Sequence, residues 1–346
     1  MNHLLLFVLS LLLAPVAAAQ QAPHAVVATT PDLAALCRAV GGDAVAVTSF
    51  VVGPQDPHYL DPRPSMLYAI QRAELVVELG RELESGWLPV LLNQGRNAVV
   101  QPGQIGHLDA SRSVRALGVP SASIDRSAGD VHLAGNPHYL LDPLCGLQVA
   151  TALRDRFVSL WPGQRERFVA NHRKLQQQLA AAMVGEKLAA LYDHDAEKLA
   201  LAYGNGTLLE VLREQGDLSA LGGWFQALQP HRGAAVVVDH DLWPYFAERA
   251  GLSVFGFLEP RPGMTPTSAH LAALTERMRE AKVKVVLTAA YFPPQYAKLV
   301  TDAVGGVIAP MAHQPGAQPG TDDYVAFVDY NVRTLVAALG SATTRQ

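Results

Sequence analysis

Cysteine is scarce in this chain, which has only Cys37 and Cys145. Two thiols cannot build a four-thiolate zinc site, nor staple a small scaffold by disulfides. Their surroundings are unrelated, one in a predicted first helix and one at the start of a predicted interdomain helix, so they read as small buried hydrophobes rather than a pair. Neither offers a lipobox, so the chain is expected not to be membrane-anchored. An excess of basic residues is also missing: 27 Lys and Arg face 31 Asp and Glu, for a net charge of −4. Phosphate backbones are bound by clustered cations, so a nucleic-acid partner is not expected. After the first twenty residues no apolar run reaches transmembrane length. There is no H-E-x-x-H pair and no P-loop, because Gly204-Asn205-Gly206-Thr207 lacks the lysine and the spacing; Thr207 reads instead as a helix cap.

What is present begins with Leu4 to Ala19, an apolar stretch too short for a normal span that closes on Ala17-Ala18-Ala19. It predicts a signal peptide over 1–19 and a mature, soluble periplasmic chain starting at Gln20. Nearly half the residues are apolar, enough for two cored domains in a chain of this length. Short β-branched runs at 25–30, 44–52, 74–79 and 97–101 alternate with helical patterns at 31–41, 64–73 and 82–94. The same texture returns with strands at 234–239, 252–257, 283–288 and 305–309 and helices near 241–250, 267–281, 293–304 and 322–340. Alternation of this kind implies parallel sheets, hence two α/β lobes over 20–142 and 196–346. Between them, 143–195 reads as one long backbone helix from Leu144 to about Leu191, with a kink at Trp161-Pro162-Gly163. Unbroken, it would be roughly 70 Å long and would restrain hinge motion. Trp87, Trp161, Trp224 and Trp243 are scattered among non-basic neighbours and read as packing anchors.

Three histidines share one kind of position. His58 ends Gly53-Pro54-Gln55-Asp56-Pro57-His58 after a predicted strand, His138 ends Gly135-Asn136-Pro137-His138 ahead of the long helix, and His240 closes the strand AAVVVD. Each is a junction leading into a helix, at the end of a sheet where open α/β folds bind ligands. Neutral imidazole suits zinc, and three protein ligands with a fourth place for water is an accepted zinc arrangement. Asp56, Asp239 and Asp241 flank these positions and are candidates to orient the rings. His107, His132 and His231 sit in predicted loops without that context and read as solvated, with His132 a candidate auxiliary metal contact.

Longer strings carry a resemblance: TTPDLAALCRAVGGDAVAVTSFVVGPQDPHYLDPRPS, RAELVVELGRELESGWLP, GDVHLAGNPHYLLDP, VVVDHDLWPYFAERAGLSVFGFLEPRPGMTPTSAHLAAL and GTDDYVAFVDYNV. In this order they resemble the zinc- and manganese-binding components of ATP-binding-cassette importers, the cluster with a rigid helical backbone. The resemblance implies two lobes, a metal site in the interlobe cleft formed by His58, His138 and His240, a zinc ion as transported ligand, a membrane permease as partner, a monomer, and no catalysis. Many members place a metal-binding carboxylate in the loop after the last strand, where this sequence has Ala309-Pro310-Met311-Ala312-His313. Water, His313 or a carboxylate from elsewhere is then the expected fourth ligand. Manganese prefers oxygen donors, so an imidazole set favours zinc, with copper and nickel compatible by ligand type. Two other readings use the same site: a zinc hydrolase, with Glu259 as the candidate general base, and a metal buffer or adhesin-like protein with no importer.

Overall fold

The computed structural model describes residues 22–120, 132–193, 195–260 and 263–344. The expected signal peptide lies outside the described residues. Among those described, no helix is long and apolar enough to cross a membrane.

The first lobe is built from β1 (His24–Ala28), α1 (Pro31–Gly41), β2 (Val45–Ser49), α2 (Pro64–Arg72), β3 (Leu75–Glu78), α3 (Leu88–Gly95) and β4 (His107–Asp109). Its strands form a parallel sheet in the order β2-β1-β3-β4. Then follow α4 (Pro143–Leu160), α5 (Arg165–Val184), α6 (Glu186–Leu191), α7 (Ala196–Gly204), α8 (Leu208–Gln215) and α9 (Gly223–Leu228). The second lobe contains β5 (Ala235–Val238), α10 (Pro244–Ala250), β6 (Ser253–Phe257), α11 (Ser268–Glu280), β7 (Val285–Thr288), α12 (Pro294–Val304), β8 (Val307–Pro310) and α13 (Tyr324–Thr344). Its parallel sheet has the order β6-β5-β7-β8, the same winding as the first.

Strand alternation explains how the lobes fuse. Side chains point alternately to opposite faces of a strand, and a parallel sheet is covered on both. Val27 and Val76 face a local core under α2 and α3, while Val237 and Val286 face one under α11 and α12. Their neighbours Val26, Ala28, Leu75 and Val77, and likewise Val236, Val238, Val285 and Leu287, face the other way into one apolar cluster. That cluster continues through Leu153, Phe168, Leu179, Trp224 and Phe327, so the inner faces of both lobes share a single core.

A long helix does join the lobes, but the expected unbroken run from Leu144 to Leu191 is divided. Pro162 disfavours helical geometry at Trp161, whose φ and ψ are −130° and 66°, and the chain reverses there through a short turn over Pro162–Gln164. The helices α4 and α5 then pack against one another, with Thr151 Oγ1 3.0 Å from His172 Nε2 and the Phe157 and Phe168 rings 5.3 Å apart. The bridging element is α5, 20 residues and about 30 Å long, which packs on α1 at one end and on α9 and α13 at the other. Gly185 ends it at φ 86°, where a side chain would strike the backbone of Gly222.

The strand expected at 97–101 is a short 3-10 turn, Ala98–Val100. Asn97 causes this: its Oδ1 accepts from Val99 N and its Nδ2 donates to the carbonyls of Ile70 and Ala73, which removes the residue from any ladder. The fourth strand is β4, only three residues long, and His107 is therefore a buried strand residue rather than a solvated loop one. His231 is half-buried at the end of a 3-10 turn. Helix α3 starts at Leu88, after left-handed residues at Gly80, Arg81 and Glu82, and not at 82 as the pattern predicts. Thr207 occupies the cap position of α8, but its hydroxyl donates to Ala202 O and caps nothing. Cys37 and Cys145 are both buried and unpaired, and all four tryptophans are buried, as expected.

One ion pair locks the lobes at the start of α4. Asp142 caps that helix by accepting from Leu144 N, and it receives Arg249 of α10 through two bonds of 2.8 and 3.0 Å. Both side chains are 8% exposed, and Arg249 also donates to Ala200 O. Removing one partner of a buried pair leaves the other charge uncompensated. Arg249→Met is expected to lower the unfolding free energy by about 3–5 kcal/mol in urea titration; an unchanged midpoint would show that this pair holds nothing.

Candidate metal centre

Each of the three junction histidines is fixed by the turn that carries it. Asp56 Oδ1 accepts both His58 N at 3.0 Å and His58 Nδ1 at 2.7 Å. Trp87 Nε1 donates to Pro57 O and holds the same turn from below. Asn136 Oδ1 accepts from His138 N, while Asn136 Nδ2 donates to Asp241 O at 2.6 Å, so the His138 segment is tied directly to the His240 loop. Asp239, fully buried, accepts from His240 N, Trp243 Nε1 and Ala289 N, and thereby shapes the turn at the end of β5. Glu259, just beyond β6, reaches back to His240 Nδ1 at 2.9 Å.

The rings converge. Among the described residues, one group of histidines, cysteines or carboxylates could share an ion: His58, His138 and His240 each offer a donor atom, and these lie within 4.8 Å of one another. The His58 centroid is 5.2 Å from that of His138 and 6.0 Å from that of His240, and the latter two are 6.4 Å apart. The three come from the loop after β2, the segment before α4 and the end of β5, so the cluster sits where the two lobes meet.

Hydrogen bonding sets which nitrogen is available. In His58 and His240 a carboxylate takes the Nδ1–H, which leaves Nε2 with a lone pair. His138 is buried and its Nε2 has no hydrogen-bond partner, a costly state for a polar atom unless something else meets it. Burial, and then the neighbouring histidines, push the His138 imidazole well below the usual value, so it stays neutral. Burial also pulls on His240, but the Glu259 hydrogen bond and the charges of Glu259, Asp239 and Asp241 outweigh it and raise its pKa. At Asp56, burial is opposed and overcome by His58 and His240, and the carboxyl titrates below its ordinary range. A neutral His138, with two further rings whose Nδ1 atoms are held by carboxylates, fits a divalent cation of imidazole preference.

Of the flanking carboxylates, Asp56 orients a ring as expected, whereas Asp239 acts on backbone and Trp243. Glu259 orients His240 and is not placed as a free base. His313 follows β8 as expected, but it donates through Nε2 to Gln55 O at 3.1 Å and stands outside the three-histidine group. Burial pushes its pKa down to about 4. His132 also stands outside that group, but it approaches the cluster on one side, its Nε2 3.3 Å from His58 Nε2.

A feature absent from the sequence pattern is the clasp across the cleft. Gln314, 2% exposed, donates through Nε2 to Gly53 O and Gln55 O at 2.9 Å each. Asn331 of α13 holds the adjoining Ala312 by both its N–H and its carbonyl. Gly53 lies so close to Gly316 that any side chain there would collide with Gly316 O. On the opposite side, Arg81 donates to Asn136 O and to the hydroxyl of Tyr245, which also accepts from Leu117 N.

Comparisons with known proteins bear on the family and the fold. The sequence model of the family described as zinc-uptake complex component A, periplasmic, matches residues 26–192 and 215–338. A high-affinity zinc uptake system protein, ZnuA, of Yersinia pestis is 23% identical over 332 residues, covering 92% of each chain. A crystal structure of ZnuA superposes with a TM-score of 0.66 over 91% of this chain and 99% of that one, at 20% identity. A manganese-bound periplasmic metal-binding protein from Candidatus Liberibacter asiaticus gives 0.63 at 16% identity, again over 91% and 99%. These likenesses show the two-lobed fold.

The ring environments are open to direct test in the metal-free protein. Long-range proton–nitrogen spectra are expected to show His58 and His240 as Nδ1–H tautomers, His240 titrating above about 6.5 and His138 remaining neutral well below it. Glu259→Gln should lower the His240 midpoint. Equal midpoints for His138 and His240 would contradict the assignment.

Proposed function

The chain belongs to the family of periplasmic zinc-uptake component A proteins, and on that premise we propose that it captures one zinc ion with His58 Nε2, His138 Nε2 and His240 Nε2 and delivers it to an ATP-binding-cassette importer. The observation that carries this reading is the convergence of donor atoms from both lobes within 4.8 Å. No carboxylate belongs to that group, which favours zinc over manganese. Delivery to a permease follows from the family, and the chain performs no chemistry on the ion.

The hydrolase reading loses its base, since Glu259 is engaged with His240 Nδ1 and backs a ligand instead of facing a substrate. All proposed ligands come from one chain, so a single copy suffices and the carrier acts as a monomer. Both cysteines, the residue type that carries a lipid, are buried in helices, which supports a carrier without a lipid anchor. In this account 1–19 is an export signal, 20–142 and 196–346 form the two fixed walls of the cleft, and 143–195 is the spine between them.

Protons compete with zinc for the same lone pairs. With its raised pKa, His240 takes up a proton before His138 as pH falls. Affinity is therefore expected to rise with pH through the neutral range, by about tenfold per unit for each proton displaced. Calorimetric titration of the mature protein is expected to give one zinc per chain, with binding strongly weakened in His58→Ala, His138→Ala and His240→Ala. Unchanged affinity in all three variants would end this reading. Uptake of labelled zinc by a deletion strain should fall; normal uptake with no redundant binder present would separate storage from delivery.

A further inference from the structure

We propose that His132 completes the coordination sphere, so that the ion is held by four imidazoles. The inference rests on the zinc-carrier reading above and adds the fourth donor, which the loop after β8 does not supply. His132 Nε2 stands 3.3 Å from His58 Nε2, with the two rings 5.3 Å apart and the His132 ring 6.4 Å from that of His138. Two nitrogens bound at about 2.0–2.1 Å to one tetrahedral zinc are separated by roughly 3.3–3.4 Å. The His58–His132 pair is thus already spaced as one edge of that tetrahedron.

Proton positions agree with this role. Since His58 Nδ1–H is given to Asp56, His58 Nε2 is an acceptor, and the contact with His132 in the metal-free chain is a hydrogen bond donated by His132 Nε2–H. An arriving zinc ion takes the place of that shared proton. His132 passes to its Nδ1–H tautomer by exchange with solvent, which its half-buried position allows. The ring remains neutral, no net proton is lost, and both Nε2 lone pairs face the ion.

His132 is also held in place. Its carbonyl accepts from Gly135 N, and the next residue, Leu133, donates its N–H to Glu82 Oε2 at 2.8 Å. Gly135, at φ 96°, turns the chain into Asn136 and His138, so His132 and His138 belong to one short strap lying on the first lobe. Of the other candidates, Asp56 and Glu259 are committed to ring Nδ1 atoms, while His313 gives its Nε2 to Gln55 O, keeps an unpartnered Nδ1 and packs its ring edge-on against Tyr291 rather than against the three rings. A sphere of nitrogen alone disfavours manganese, which prefers oxygen.

X-ray absorption at the zinc edge of the mature protein loaded with one equivalent of zinc tests the assignment without relying on a variant. Four nitrogen neighbours near about 2.0 Å are expected, with outer-shell scattering from four imidazoles. In His132→Ala and His132→Gln the outer shell should drop to three imidazoles and a water oxygen should appear. Zinc affinity should fall at least as much as the roughly 10- to 100-fold carried by outer partners of a metal ligand. Zinc preference over manganese should narrow, while His231→Ala changes none of these. Three imidazoles in the wild type, unchanged in both variants, would overturn the fourth-ligand assignment and leave the carrier reading standing. Affinity weakened by His58→Ala but unchanged in His132→Ala would do the same, whereas zinc binding indifferent to His58, His138 and His240 alike would remove the reading beneath it.

Discussion

Imidazoles from two separately wound sheets can meet at one point only if the sheets are fixed relative to each other. A useful ligand set tolerates errors of about half an ångström, and the rest of the structure follows from that requirement. The lobes share one apolar cluster that includes Val26 of the first sheet, Val236 of the second and Phe327 of α13. The helix α5 spans them, Asp142 and Arg249 lock them at the root of α4, and Gln314 closes across the cleft mouth onto the loop that carries His58. Large hinge opening would disrupt all of these together, so entry and exit of an ion fall to local movement of the loops near the rings.

The electrostatics of the cleft divide labour between neutral and charged groups. Nitrogen lone pairs point inward, and the carboxylates of Asp56 and Glu259 stand behind the rings, where they fix orientation and raise basicity without becoming ligands. A buried cation is costly without nearby negative charge, and these two residues provide it at one remove. The same arrangement gives a route to release, because Glu259 also stabilises a proton that competes for His240.

The parts legible in the sequence were those with a strong local signature. Short β-branched runs located seven of the eight strands among the described residues, and the shared position of His58, His138 and His240 at junctions leading into helices pointed to the cluster. The strand at His107–Asp109 was missed because three residues carry no period, and Asn97 imposed a turn on the more β-like segment before it. The spine was overextended because helical periodicity runs on through Trp161; the packing of Phe157 on Phe168 and the approach of Thr151 to His172 show that the chain doubles back. Gln314 and the ring-facing role of Glu259 depend on contacts between distant segments, which spacing along the chain cannot reveal. His132 lay between: its residue type flagged it, but only its 3.3 Å approach to His58 gave it a place.

Anomalous diffraction at the zinc edge from crystals of the zinc-loaded protein bears most directly on the convergence of the two lobes. The account predicts one strong peak, at about 2.0–2.1 Å from Nε2 of each of His58, His138 and His240. A peak elsewhere on the molecule, or one touching histidines of a single lobe, would contradict it.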